Sequence, residues 1–266
     1  MHGDWDSTSG DALDSALNTL PAPNPTTFLR TDVTSYTDLL ALFEAAWAKH
    51  GRVDIAISNA GLQEAGHWFD PALDRESVKT LPTTKCLDVN LLGTLYFARI
   101  AAVYLASPSP SSTTATSSSD RALILLSSTA GFKETPGLPV YSAAKHGVLG
   151  LLRALRLSLP ATHGVRVNAV CPWMTDTAMV DGIREQWLGE GLPVNSPESV
   201  GRVVCELAGG REWNGRAVFV EGGRGWDIEE GIGGTEGVWL GEEVAGRLRR
   251  GQAVLGDGTG WGRAAV

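Results

Sequence analysis

RALILLSSTAGFKETPGLPVYSAAKHGVLGLL, residues 121–152, is the stretch from which the rest of the chain can be read. It opens on Ala122 to Leu126, a short apolar run of strand length. Ser127 and Ser128 stand at its end, and a loop rich in glycine and proline follows. From Val140 the apolar residues recur at helical spacing through Ala144, Val148, Leu151, Leu152 and Leu155. Tyr141 and Lys145 therefore fall four apart on one helix, one above the other.

That spacing has a chemical use. A phenol titrates near ~10, and so does an ammonium group. A cation within a few ångström favours the phenolate and lowers the phenol pKa by ~1–3 units, towards the range of a general acid/base. A serine hydroxyl at the carboxyl end of a strand can share the same substrate oxygen, and open α/β sheets place their sites there. With 4 Tyr and five Lys in 266 residues, the Tyr-x-x-x-Lys pair arises by chance in about one chain in thirteen. Ser128, thirteen residues before Tyr141, strengthens it.

Ser128, Tyr141 and Lys145 in this order resemble the catalytic set of the short-chain dehydrogenase/reductase family, which is carried on a single Rossmann-type domain. The resemblance implies an α/β three-layer sandwich with a mostly parallel sheet. It implies that Tyr141 is the acid/base, that Lys145 lowers its pKa and holds the nicotinamide ribose, and that Ser128 orients the substrate oxygen.

Other segments fall in with it. Asp4-Trp5 matches the acidic end of the family's second strand and resembles the NAD-linked, hydroxyprostaglandin-dehydrogenase-like branch. A carboxylate there accepts from a free ribose 2′-hydroxyl and repels a 2′-phosphate. No Arg or Lys adjoins Asp4, so NAD is favoured slightly over NADP. A frayed terminus is the plain alternative. Thr27 to Val33 reads as a strand ending in Asp32-Val33, which matches the family's adenine contact. Asp32 can equally cap the next helix. Val53 to Ser58 reads as a buried strand running into Asn59-Ala60-Gly61, which matches the family's Asn-Asn-Ala-Gly motif with Ser58 for the first Asn. Leu87 to Leu105 is a long apolar helix, and its Asn90 matches the helix-kinking asparagine that holds a water behind the catalytic lysine. Val165 to Cys171 and Arg216 to Glu221 read as further strands. Thr177 fits the hydroxyl that meets the nicotinamide carboxamide. Trp173 stands where the family has glycine after Pro172, so its indole can wall the substrate pocket. Residues 178 to 195 match the variable substrate loop, made apolar by Met179, Ile183, Trp187 and Leu188.

Size and composition narrow the classes. A length of 266 suits one α/β domain, read as 1–224 with a Gly- and Trp-rich extension over 225–266. The net charge of -8 with no basic run argues against nucleic acid. Cys86, Cys171 and Cys205 are scattered, and neither CxxC nor HExxH occurs, so no disulfide framework or metal site is expected. The polar, acidic start is unlike a signal peptide, and no apolar run approaches the ~18 residues of a membrane span. A cytoplasmic, soluble homo-oligomer acting on a small molecule is expected.

The family's opening strand, glycine-rich turn and helix have no counterpart upstream of Asp4. The reading therefore expects a fold incomplete at its amino end. Strand 27–33 should be orphaned or abnormally paired, strand 53–58 should have an open edge, and dinucleotide binding should be weak. Two functions follow. One is NAD(P)-dependent interconversion of a secondary alcohol and a ketone on a largely apolar substrate. The other is a non-catalytic remnant of the same scaffold that serves as a binding or interaction protein. A serine hydrolase is disfavoured, since no Gly-x-Ser-x-Gly occurs.

Overall fold

The computed structural model describes residues 1–20, 25–108 and 120–258. The Pro/Asn-rich run 21–24, most of the Ser/Thr-rich stretch and Trp261 lie outside the described residues. The elements in order are β1 (His2–Asp4), α1 (Ser7–Asn18), β2 (Phe28–Arg30), α2 (Tyr36–His50), β3 (Ile55–Ser58), α3 (Lys85–Leu87), a π-helical stretch Asp88–Gly93, and α4 (Thr94–Ala106). Then come β4 (Ala122–Leu126), α5 (Pro139–His163), β5 (Arg166–Pro172), α6 (Asp181–Gly189), α7 (Pro197–Gly209), β6 (Ala217–Glu221) and β7 (Arg224–Asp227). Helices α8 (Ile228–Gly234), α9 (Glu236–Leu240) and α10 (Glu242–Leu255) finish the described chain.

Five strands form one sheet in the order β3-β4-β5-β6-β7, parallel except for β7. Every residue of β4 is buried, as a central parallel strand covered on both faces requires. Leu123 and Leu125 face a core built with Leu39, Phe97, Ile100, Val148 and Leu152, from α2, α4 and α5. Ala122, Ile124 and Leu126 face Val203 and Leu207 of α7. This is a three-layer, Rossmann-like α/β arrangement, as expected. The helices carry local signals that fix their ends. Ser35 caps α2, its hydroxyl accepting from the Asp38 amide, and Gly51 ends it at φ 66°. Pro139 opens α5, and Gly164 closes it at φ 65°.

Three expectations need correction. Strand 27–33 shortens to Phe28–Arg30; as expected it has no place in the main sheet, and it pairs in parallel with His2–Asp4 in a separate two-stranded sheet. Strand 53–58 is only half-buried. Ala56 and Ser58 turn inward, while Ile55 and Ile57 are 46% and 41% exposed on the open edge strand. Finally, Lys85–Ala106 forms 22 helical residues with an 18-residue window of mean hydropathy 1.5, enough by length and composition to cross a membrane. Phe97, Ala98, Ile100, Ala101 and Leu105 are buried in the main core, so the apolarity is accounted for by core packing.

The last strand was not anticipated. Gly222 and Gly223, at φ 55° and 76°, turn the chain back so that β7 pairs antiparallel with β6. The expected boundary between 224 and 225 thus falls inside this strand. Beyond it, Glu229 on α8 accepts from Arg153 and Arg156 on α5, each at 2.7 Å, which ties the extension to that helix.

Candidate active site

The carboxyl ends of β3, β4 and β5 lie side by side, and the two serines after β4 part there. Ser127 turns inward, its amide donating to the Val170 carbonyl at 2.8 Å and its hydroxyl to the Lys145 carbonyl at 2.9 Å. It fastens α5 to the sheet. Ser128 turns the other way. Its hydroxyl caps the turn Thr129–Gly131, accepting from the Ala130 amide at 3.2 Å, and lies near enough to the Tyr141 phenol to lower its pKa. The turn rests on α5 because Gly131 has no side chain: a Cβ there would lie 2.8 Å from the Lys145 carbonyl oxygen.

Lys145 is buried one turn below Tyr141. Its Nζ lies 5.6 Å from the Tyr141 ring centroid and donates to the Leu126 carbonyl at 2.9 Å. Burial lowers the Lys145 pKa to about 8. Burial also raises that of Tyr141, and the nearby Ser128 hydroxyl only partly opposes it. This reverses the expectation that Lys145 draws the phenol down. The ammonium faces the ring and is bound to a backbone carbonyl, so desolvation dominates. At neutral pH the pair is a neutral phenol above an ammonium, which is the proton-donating form.

The Lys145 shift has a measurable consequence. Its folded pKa lies about 2.5 units below the ordinary 10.5, so the folded state resists the charged form. Between pH 8 and 10.5 the unfolded chain binds the extra proton, and stability rises with pH. Relative to Lys145→Met, the wild type should gain about 3 kcal/mol across that window. Urea unfolding at pH 7 and pH 10.5 measures the difference, and a flat difference would contradict it.

Asn90 is fully buried at the π-helical stretch, where an inserted residue breaks the regular ladder. Its side-chain amide clamps the Leu62 backbone twice, accepting from the amide and donating to the carbonyl, both at 2.8 Å. Gly61 fits between this amide and Lys145. A Cβ at Gly61 would stand 3.1 Å from Asn90 Oδ1 and 3.6 Å from Lys145 Nζ. Asn59, Ala60 and Gly61 are exposed at the end of β3.

Glu64 was not singled out in the sequence. It reaches across 77 positions, its carboxylate accepting from the Tyr141 amide at 2.6 Å and the Val140 amide at 3.3 Å. These are unpaired amides of the first turn of α5, and a carboxylate there also suits the helix dipole. No motif marks it. Glu64→Ala should cost about 1–2 kcal/mol by urea unfolding, and Glu64→Gln, which keeps an acceptor, clearly less. Equal losses would show that the cap is not the cause.

The remaining residues are more dispersed. Asp4 is exposed at the end of β1, with Arg30 of β2 as its register partner. Strand pairing therefore brings a basic residue beside it, contrary to the sequence-neighbour argument. Asp32 accepts from the Thr34 amide at 2.9 Å and the Thr34 hydroxyl at 2.7 Å, closing its own turn, while Ser35 does the capping. Val33 packs against the π-helical stretch, since a Cβ on Gly93 would lie 3.0 Å from its carbonyl. Thr177 is exposed just before a short turn, Ala178–Val180.

The substrate-loop region leaves and re-enters the sheet at one point. Thr175 and Asn195 pair in a parallel bridge. The buried Asn195 side chain donates to the Val220 carbonyl and accepts from the Gly223 amide, each at 2.9 Å. Between them Met179, Ile183 and Leu188 are exposed.

The short chain dehydrogenase family matches residues 6–187, a span that contains Asn90, Ser128, Tyr141, Lys145 and Thr177 but neither Asp4 nor Asn195. The chain belongs to the short-chain dehydrogenase/reductase family. It is an oxidoreductase of this NAD(P)-dependent class. Among its relatives is the short-chain dehydrogenase/reductase prx4 of Penicillium rubens, 31% identical over 252 residues that cover 88% of this chain and 72% of that protein. The human 15-hydroxyprostaglandin dehydrogenase [NAD(+)] is 27% identical over 184 residues, covering 69% of this chain and 61% of that one. The 3-oxoacyl-[acyl-carrier protein] reductase of Brucella melitensis, solved with NAD, shares the fold at a TM-score of 0.67 and 23% identity, with 83% and 85% of the two chains covered.

This dehydrogenase/reductase has residues that fit the nicotinamide-ribose end of the family's cofactor. The Lys145 ammonium has three donors and gives one to Leu126. Gly61 leaves beside it the space a Cβ would fill. A ribose diol is a group of matching size and hydrogen-bonding character.

Proposed function

We propose that this chain interconverts a secondary alcohol and a ketone, with Tyr141 as the acid/base. The observation that carries the reading is the closeness of the Ser128 and Tyr141 hydroxyls at the carboxyl end of β4, with Lys145 beneath the ring. A nicotinamide held beside Lys145 would supply or accept the hydride. In the reducing direction the carbonyl carbon gains that hydride and the carbonyl oxygen gains the Tyr141 proton. Ser128 donates to the same oxygen and holds it against the phenol. Lys145 would hold the ribose hydroxyls and, as an ammonium, steady the phenolate left behind. Asn90 fixes the loop carrying Asn59, Ala60 and Gly61 through its clamp on Leu62. Asp4, Asp32 and Val33 would meet the adenosine end, and Thr177 the carboxamide.

The exposed carboxylate of Asp4, one oxygen of which accepts from the Asp6 amide at 3.0 Å, supports NAD, while Arg30 beside it would suit a 2′-phosphate, so NAD is favoured only slightly over NADP. The free thiols of Cys86, Cys171 and Cys205 fit a reducing, cytoplasmic compartment. The partner is a small alcohol or ketone, with the chain as a homo-oligomer.

A second reading, a binding protein on the same scaffold, draws on one observation. Asp4 sits in a two-stranded sheet that is separate from the sheet carrying Ser128. Calorimetric titration of the chain with NADH and with NADPH separates the two. Micromolar binding with ketone-dependent oxidation of the cofactor would support the oxidoreductase reading and overturn the expectation of weak dinucleotide binding, and absence of both would leave the binding-protein reading.

A further inference from the structure

A row of aromatic rings runs from the chain just after β5 across β6 to β7. Trp173, just after β5, and Trp187, on α6, meet at 4.8 Å between ring centroids with their planes 85° apart. Trp173 also lies 5.9 Å from Phe219 of β6. Phe219 in turn touches Phe132 at 5.8 Å and Trp226 of β7 at 5.9 Å. All five rings keep some exposed surface. Its Trp173 end is joined to the turn that follows Ser128: Thr129, next to Ser128, donates to the carbonyl of Pro172, next to Trp173, at 3.2 Å. The Trp187 indole N–H is anchored on the Pro193 carbonyl at 2.9 Å, within the excursion pinned at Thr175 and Asn195.

Two indoles at right angles make a corner. A flat ring laid against one face meets the other edge-on, and aromatic pairs favour both offset stacking and edge-to-face contact. A saturated ring of the same size gains the apolar contact without the quadrupole attraction. We propose that the substrate is a secondary alcohol or ketone borne on a flat aromatic ring system, recognised by Trp173 and Trp187. The inference rests on the alcohol/ketone reading above and names its substrate class.

The test is calorimetric titration of the 266-residue chain with 1-tetralone and with 1-decalone, its saturated counterpart on the same carbon skeleton. Tetralone should bind about five- to tenfold tighter. Trp173→Leu should remove most of that preference, and Trp173→Phe should keep it. Trp187→Leu, on the excursion rather than beside the sheet, gives the same readout if Trp173→Leu fails to fold. Equal affinities, no binding of either ketone, or an unchanged preference in a folded leucine variant would overturn the inference. Turnover of the two ketones with NADH and NADPH tests the underlying reading separately. Trp173-dependent preference for tetralone without turnover leaves the aromatic corner standing and removes the oxidoreductase reading. Turnover of both ketones with equal affinity does the reverse.

Discussion

Tyr141→Phe should lower turnover by about 10²- to 10⁴-fold, the range typical of a positioned general acid/base. The substitution removes one hydroxyl and no ring volume, so α5 and its packing stay. The lost contact with Ser128 should cost only about 1 kcal/mol of stability. The variant should therefore unfold close to the wild type in urea while its steady-state rate collapses. Because burial raises the phenol pKa, Tyr141 holds its proton at neutral pH and is ready to give it to a carbonyl oxygen. Wild-type turnover in a folded Tyr141→Phe chain would remove this residue from the chemistry.

Arg166→Met should destabilise the fold by about 2–3 kcal/mol, since it leaves a partly buried carboxylate and three backbone carbonyls without their charged donor. The Arg166 guanidinium meets both Asp120 oxygens at 2.7 Å. It also donates to the carbonyls of Leu207, Ala208 and Trp213, at 3.1, 2.9 and 2.8 Å. Leu207 and Ala208 lie in the last turn of α7, where carbonyls lack helical partners. One side chain thus joins the start of β5, the chain entering β4 and the end of α7. The hydrogen bond from Arg166 is the main cause of a lowered Asp120 pKa. This contribution is present above the ordinary value of 3.8 and is lost as pH falls through the lower, folded-state value. Urea unfolding at pH 7 measures the loss. A change below 1 kcal/mol would show that Arg166 is better solvated than its contacts imply.

The order of the candidate residues was legible in the sequence because each group sits next to a strong local signal. Ser128 ends an apolar strand, Tyr141 and Lys145 share a helical turn, and Asn90 interrupts an apolar helix. What stayed hidden depends on contacts between distant segments. Nothing local tells that Ser127 fastens α5 while Ser128 faces Tyr141, since two adjacent serines are separated only by the twist of the chain. Glu64 acts on amides 77 positions away. Arg30 becomes the neighbour of Asp4 only through strand pairing. The pKa direction of Tyr141 followed from how deeply the phenol is buried and where the ammonium points, and neither is a property of spacing. Strands β1 and β7 are 3 and 4 residues long, too short for alternation to show.

The neck at Thr175 and Asn195 separates two kinds of inheritance. Everything that closes the sheet lies outside it, and Asn195 ties both strands of the neck to β6 and to the turn before β7. Residues 176–194 therefore form an exchangeable cassette, whose ends meet whatever runs between them. Lengthening such a segment costs little, about 0.6 kcal/mol for each doubling. A lineage, or an engineer, can swap this insert and redirect the cleft to new molecules while the proton-transfer machinery stays as it was.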